Sequence, residues 1–218
     1  MQEPEFIFIA RITRAVTHEI NNVFGIIKES SGLLEDYLSL VQKEAFPYHD
    51  KFIKVISTIQ AQIRRGVTLT TGLNRFAHSM QELRAAVDLN NLVQQVVFLL
   101  QRQARTQEVE LIAYPAEHAV EVITDPLRLQ LIIGACIEYL LGIAGKEGQV
   151  GLTATANGRE AGIQIWAEPG AGEELSPGLD MLPEALRGFD KVLDDLQIKL
   201  IILKFSRGEG FFVSFPAR

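Results

Sequence analysis

RAVTHEINNVFGIIKESSGLLEDY, from Arg14 to Tyr37, is the stretch from which the rest of the chain is best read. Val16, Ile20, Val23, Ile27 and Leu34, continued by Leu38 and Val41, recur at spacings of three, four or seven residues. That recurrence predicts a long amphipathic helix with one apolar stripe. His18 stands two residues from both Val16 and Ile20, so at about 100° per residue it points away from the stripe. Glu19 is beside it, and Asn22 follows one turn on along the same face.

Outward from this stretch, the region from about Glu5 to Arg84 is poor in glycine, and its one proline after the start is Pro47, in AFPYHD. A turn there joins two helical runs. In the second run Phe52, Ile56, Ile59, Ile63, Gly66, Thr70, Leu73, Ala77 and Met80 keep a near-heptad spacing, the pattern of a coiled-coil-like seam. A two-helix hairpin is too thin to bury such surface by itself. Pairing with a second copy closes a four-helix bundle, so a homodimer is expected.

From Val87 the pattern turns to mixed helix and strand. DLNNLVQQVVFLLQRQAR reads as a helix capped by Asp88, with Leu92, Val96, Leu99 and Leu100 inward. EVELIAYP and AVEVIT alternate like strands. DPLRLQLIIGACIEYLLGIA is an apolar helix whose Asp–Pro start suits a first turn. GQVGLTATA and AGIQIWAE flank Asn157-Gly158, a hairpin pair. PEALRGFDKVLDDL is a further helix, and IKLIILKF and GFFVSFP pair across SRGEG. The expected fold is α+β: a helical hairpin over residues 1–86, then over 87–218 about three helices on one face of a mixed sheet of about six strands.

Composition narrows the function. Hydrophobic residues at 47% and charged residues at 22% are those of an ordinary globular protein. A net charge of −6 argues against a phosphate-backbone surface, so no nucleic-acid partner is expected. The single cysteine, Cys136, forms no intramolecular disulfide and favours a reducing, cytoplasmic location. MQEPEFIFIARITR begins acidic and is broken by Arg11, unlike a signal peptide. No uninterrupted apolar run has membrane-spanning length.

The order of these parts resembles the sensor histidine kinases of bacterial two-component signalling. These join a dimerising, phospho-accepting hairpin to an ATP-binding α/β sandwich domain. HEINNVFGII is similar to the family's phosphoacceptor box, roughly HE-hydrophobic-x-N-P-L-x-x-I, and QIRRGVTLTTGLNRFAH to its second helix. VDLNNLVQQVVFLL, ITDPLRLQLII and GEGFFVSFP resemble the start, middle and end of the ATP-binding domain. The resemblance implies that His18 receives the phosphoryl group. A neutral imidazole, with an ordinary pKa of about 6.5, offers a nucleophilic nitrogen at neutral pH. Glu19 is expected to accept a hydrogen bond from the other ring nitrogen. Asn22 matches the position that holds a water during dephosphorylation of a partner, and Asn21 has a less defined role. Val23 replaces the family's proline, which puts the usual helix kink in doubt. His49, His78 and His118 lack such a context and read as solvated surface residues.

The nucleotide chemistry of the resembling family is missing. Ala135 and Tyr139 fall where its magnesium-holding asparagines belong, and neither offers the carbonyl oxygen that a hard cation takes. Glu138 stays near an acid/base position without an organised metal. Glu168, followed by Pro169, stands in for the adenine-reading aspartate, while Gly170 and Gly172 keep the small-residue spacing. No second glycine-rich segment occurs between Leu175 and Asp195. Glu168, Glu173, Glu174 and Asp180 gather negative charge where phosphates would approach.

An acceptor histidine beside a decayed ATP site resembles the dimeric bacterial histidine phosphotransferases. That resemblance implies phosphoryl transfer through His18 between receiver-domain aspartates, with magnesium supplied by the receiver and no cofactor or metal of this chain's own. Phe24 and Gly25 offer either an apolar contact for the receiver or ordinary bundle packing. The rival readings are an autokinase with a divergent nucleotide site, a receiver phosphatase using Asn22, and a non-enzymatic scaffold.

Overall fold

The computed structural model describes residues 3–39, 49–79, 84–116, 118–156, 160–170, 183–204 and 208–215. Two long helices come first, α1 (Glu3–Ser39) and α2 (His49–Ser79). The chain then runs β1 (Ala85–Asp88), α3 (Leu89–Thr106), β2 (Glu110–Tyr114), β3 (Glu121–Thr124) and α4 (Pro126–Ala144). It closes with β4 (Gln149–Ala156), β5 (Ala161–Glu168), α5 (Glu184–Arg187), α6 (Asp190–Leu196), β6 (Lys199–Lys204) and β7 (Glu209–Phe215). These elements form two compact units: Ile9–Arg75 is one, and the residues up to Phe8 and from Phe76 onward are the other.

In the hairpin unit the α1 stripe follows its sequence pattern. Val16 and Val23 are buried, and Ile20, Ile27 and Leu34 are half-buried. Helix α2 follows only half of its pattern. Phe52, Ile59, Gly66 and Leu73 are half-buried as the heptad spacing predicts. Their companions Ile56, Ile63, Thr70 and Ala77 are exposed, and Val55, Gln62 and Leu69 face inward instead. The two rows lie one residue apart, and a single partner helix covers only one of them. At the far end, the rings of Tyr37 and Phe52 lie 6.0 Å apart, and the Lys51 ammonium sits 5.7 Å above the Tyr37 ring. The AFPYHD turn before His49, Val41, Met80 and the side chain of Leu38 lie outside the described residues.

The larger unit is built on a five-stranded sheet ordered β2-β4-β5-β7-β6. Only β2 and β4 run parallel; every other neighbouring pair is antiparallel. Alternation along β4, β5 and β7 sends Val150, Leu152, Ile163, Ile165, Phe211 and Val213 to one face, all fully buried. Helices α3 and α4 pack against each other and against this sheet. Asp88 caps α3, accepting from the backbone N–H of Asn90 at 2.8 Å, and Leu92, Val96, Leu99 and Leu100 are buried as expected. Asp125 caps α4 in the same way, accepting from the N–H of Arg128 at 3.0 Å, with Pro126 in the first turn. Helix α4 is apolar on nearly all sides and is the one described helix long and apolar enough to cross a membrane; most of it is buried inside the protein.

Three details differ from the sequence reading. AVEVIT leaves the main sheet: β3 pairs antiparallel with β1, a four-residue strand over AAVD. PEALRGFDKVLDDL forms two short helices, α5 and α6, parted at Gly188 and Phe189. The described strands number seven rather than about six. Phe8 and Phe76 complete this unit. Their rings meet edge-on at 5.9 Å, and the Phe8 ring stands where a Cβ on Gly134 would reach within 2.8 Å.

Candidate functional site

Helix α1 runs unbroken through the acceptor box, Val23 included, so the helix is not interrupted where the resembling family has proline. The imidazole of His18 and the side chains of Asn21 and Asn22 are exposed, while Val23 is fully buried. One turn separates His18 from Asn22, and the Asn22 amide nitrogen lies 3.2 Å from His18 Nδ1. That contact occupies Nδ1 and leaves Nε2 as the open ring nitrogen.

Glu19 takes a different role from the one expected. The ring partner is Asn22, and the Glu19 carboxylate instead forms an ion pair with the Arg65 guanidinium of α2. The side chain of Glu19 is only 15% exposed and that of Arg65 41%. The helices come close beside this pair. A Cβ on Gly66 would lie 3.3 Å from Val23 Cγ1, so the glycine lets α2 sit against the buried valine. Arg65 was not singled out by the sequence. It lies 46 residues from Glu19, and only its place in the family-like second helix hinted at it.

The hairpin also displays apolar surface. Phe24 is 62% exposed and Val67 60%, with Ile63 at 51%. Gly25 has open space where a side chain would stand. The single hairpin leaves the Phe24 ring uncovered, as both a receiver contact and packing within a dimeric bundle require.

In the sheet unit, Ala135 and Tyr139 sit half-buried on α4. The Tyr139 ring meets Phe211 edge-on at 6.1 Å. Its hydroxyl is pushed above the ordinary phenol range, first by desolvation and then by the charge of Glu209. Glu138 is half-buried one residue earlier. Glu168 accepts a hydrogen bond from the Trp166 indole N–H at 3.2 Å, and that indole stacks on Tyr114 at 5.4 Å. Gly170 is buried, and a Cβ there would meet the Lys146 carbonyl oxygen at 2.6 Å. Gly172, Glu173, Glu174 and Asp180 lie outside the described residues. Among those described, no three His, Cys, Asp or Glu side chains gather as a metal site. Cys136 is fully buried and its thiol is pushed far up by desolvation. His118 is exposed; the side chains of His49 and His78 lie outside the described residues.

No family profile and no curated protein matches the chain. Solved structures do. The catalytic domain of histidine kinase ThkA, nucleotide-free, superposes with a TM-score of 0.51 at 14% identity, covering 62% of this chain and 97% of that one. Histidine kinase ThkA in complex with response regulator protein TrrA gives 0.50 at 17% identity, over 98% of this chain and 63% of that one. Histidine kinase AdeS of Acinetobacter baumannii gives 0.49 at 13% identity, over 92% and 98%. The chain has a histidine-kinase-like fold: a helical hairpin followed by the mixed-sheet domain of these enzymes.

Proposed function

We propose that this chain is a histidine phosphotransferase of a two-component phosphorelay, acting in the cytoplasm as a homodimer and exchanging phosphoryl groups with receiver-domain aspartates through His18. The observation that carries this reading is the exposed imidazole with its Nδ1 against Asn22, which leaves Nε2 as the open ring nitrogen. The amide oxygen and nitrogen of Asn22 exchange places by a half-turn. With the oxygen toward the ring, Nδ1 keeps its proton and the Nε2 lone pair is free. That lone pair attacks the phosphorus of a receiver aspartyl phosphate. The P–Nε2 bond forms as the P–O bond breaks, the electron pair leaves on the receiver carboxylate, and Nδ1–H is retained against Asn22. No base has to remove a proton, which agrees with Glu19 being occupied by Arg65. A complex of a structural neighbour with a response regulator supports a receiver as partner.

We favour transfer over autokinase chemistry because the residues at the family's magnesium positions are ill suited to it. Ala135 has no ligand atom, and Tyr139 keeps its proton against ionisation. The test mixes a receiver phosphorylated on its aspartate with the full chain in ATP-free buffer. Acid-labile label is expected on the wild type and none on His18→Gln. Incubation with magnesium and labelled ATP alone is expected to leave the chain unlabelled; rapid labelling there would establish the autokinase reading instead.

A further inference from the structure

The charge balance around the acceptor points to a further residue. We propose that Arg65 is the cation that meets the phosphoryl group on His18, and that Glu19 holds it in place until the group arrives. This rests on His18 being the acceptor. A phosphoryl group on Nε2 brings up to two negative charges to the residue that precedes Glu19, a concentration of like charge on one helix turn that an uncompensated surface resists. Arg65 is already paired with that carboxylate from the facing helix. A guanidinium carries five N–H donors in a planar fork, and one carboxylate uses at most two of them. The Arg65 side chain is 41% exposed, so part of that fork is open to solvent rather than covered against Glu19. The close approach of Gly66 to Val23 fixes the neighbouring backbone of α2, so the arginine is held by its own helix as well as by Glu19.

Arg14 is the rival cation, since it lies one turn before His18 and is exposed. Unlike Arg65 it pairs with no carboxylate among the described residues. During transfer Arg65 contributes donors to the equatorial phosphoryl oxygens, and no bond to it forms or breaks. Glu19 acts as a positioning residue through Arg65.

The experiment needs no receiver. The full chain is phosphorylated with phosphoramidate, a small-molecule phosphoryl donor, and compared with Arg65→Gln, Arg65→Lys and Arg14→Gln. Labelling of His18 is followed as a function of donor concentration. The protonation of the attached phosphoryl group is followed by phosphorus NMR against pH. Arg65→Gln is expected to slow labelling at saturating donor by about tenfold or more, the share of a charge-assisted hydrogen bond in a transition state. It is also expected to move the phosphoryl titration to higher pH, because the compensating charge is gone. Arg65→Lys is expected to restore the titration and part of the rate, while Arg14→Gln matches the wild type. An Arg65→Gln chain with wild-type rate and unchanged titration overturns the proposal, as does a slow variant whose titration has not moved. A wild-type chain that takes no label at His18 overturns the acceptor reading, and this inference falls with it.

Discussion

At the scale of single residues, the site separates two jobs that its sequence places side by side. Asn22 sets the imidazole and Glu19 sets a cation. Replacing Asn22 by Ala should therefore slow transfer to His18 by roughly tenfold while leaving labelling possible, because the ring loses its orienting contact but not its nucleophile. Rates of label transfer from a phosphorylated receiver check this. Arg65→Gln should cost about 1–3 kcal/mol in denaturant melts, because it takes the guanidinium away from the mostly covered Glu19 carboxylate. Histidine, glutamate and asparagine were legible as a group because one helical turn links them. Arg65 was not, because its partner is far along the chain and only the folded hairpin brings them together. Two groups in the sheet unit set an alkaline limit. Cys136 and Tyr139 both have raised pKa values in the fold. Their neutral forms stabilise the protein below the unfolded values of about 8.5 for a thiol and about 10 for a phenol. As pH rises past those values the unfolded chain releases protons that the fold retains, and stability falls. Melting temperatures from pH 7 to 11 should decline, and less steeply in Tyr139→Phe.

At the scale of elements, the helices were easier to read than their faces. From Val16 to Leu34 the α1 stripe came out as written because one periodic row of aliphatic residues admits one inward side. In α2 two rows run one residue apart, one through Val55, Gln62 and Leu69 and one through Ile56 and Ile63. Periodicity alone cannot say which of them a single partner helix takes. Strand β1 escaped notice because AAVD is short and carries no alternation, and its pairing drew β3 out of the main sheet. The capped starts of α3 and α4 were legible because Asp88 and Asp125 act locally. Asp88→Ala should cost about 1 kcal/mol, the usual loss for an N-cap, measured by urea denaturation.

At the scale of the whole molecule, Ile53, Ile56, Ile63 and Val67 lie on one exposed side of α2, each at least 40% open to solvent. Under the proposed homodimer this row is the seam with a second copy, which also accounts for the heptad signal that the hairpin alone leaves unused. Ile63→Glu should then yield a folded monomer in sedimentation, where the wild type sediments as a dimer; an unchanged mass would put the seam elsewhere.

Phe8 finds its resting place against Gly134, which the ribosome makes well after it. The Phe8 ring must therefore wait for its cover until α4 has emerged. Cutting the gene at the start of the sheet-rich half would remove both Phe8 and Phe76 and leave a vacancy above Gly134. An excised piece beginning at residue 87 should accordingly be prone to aggregate, and one that retains the opening residues should not.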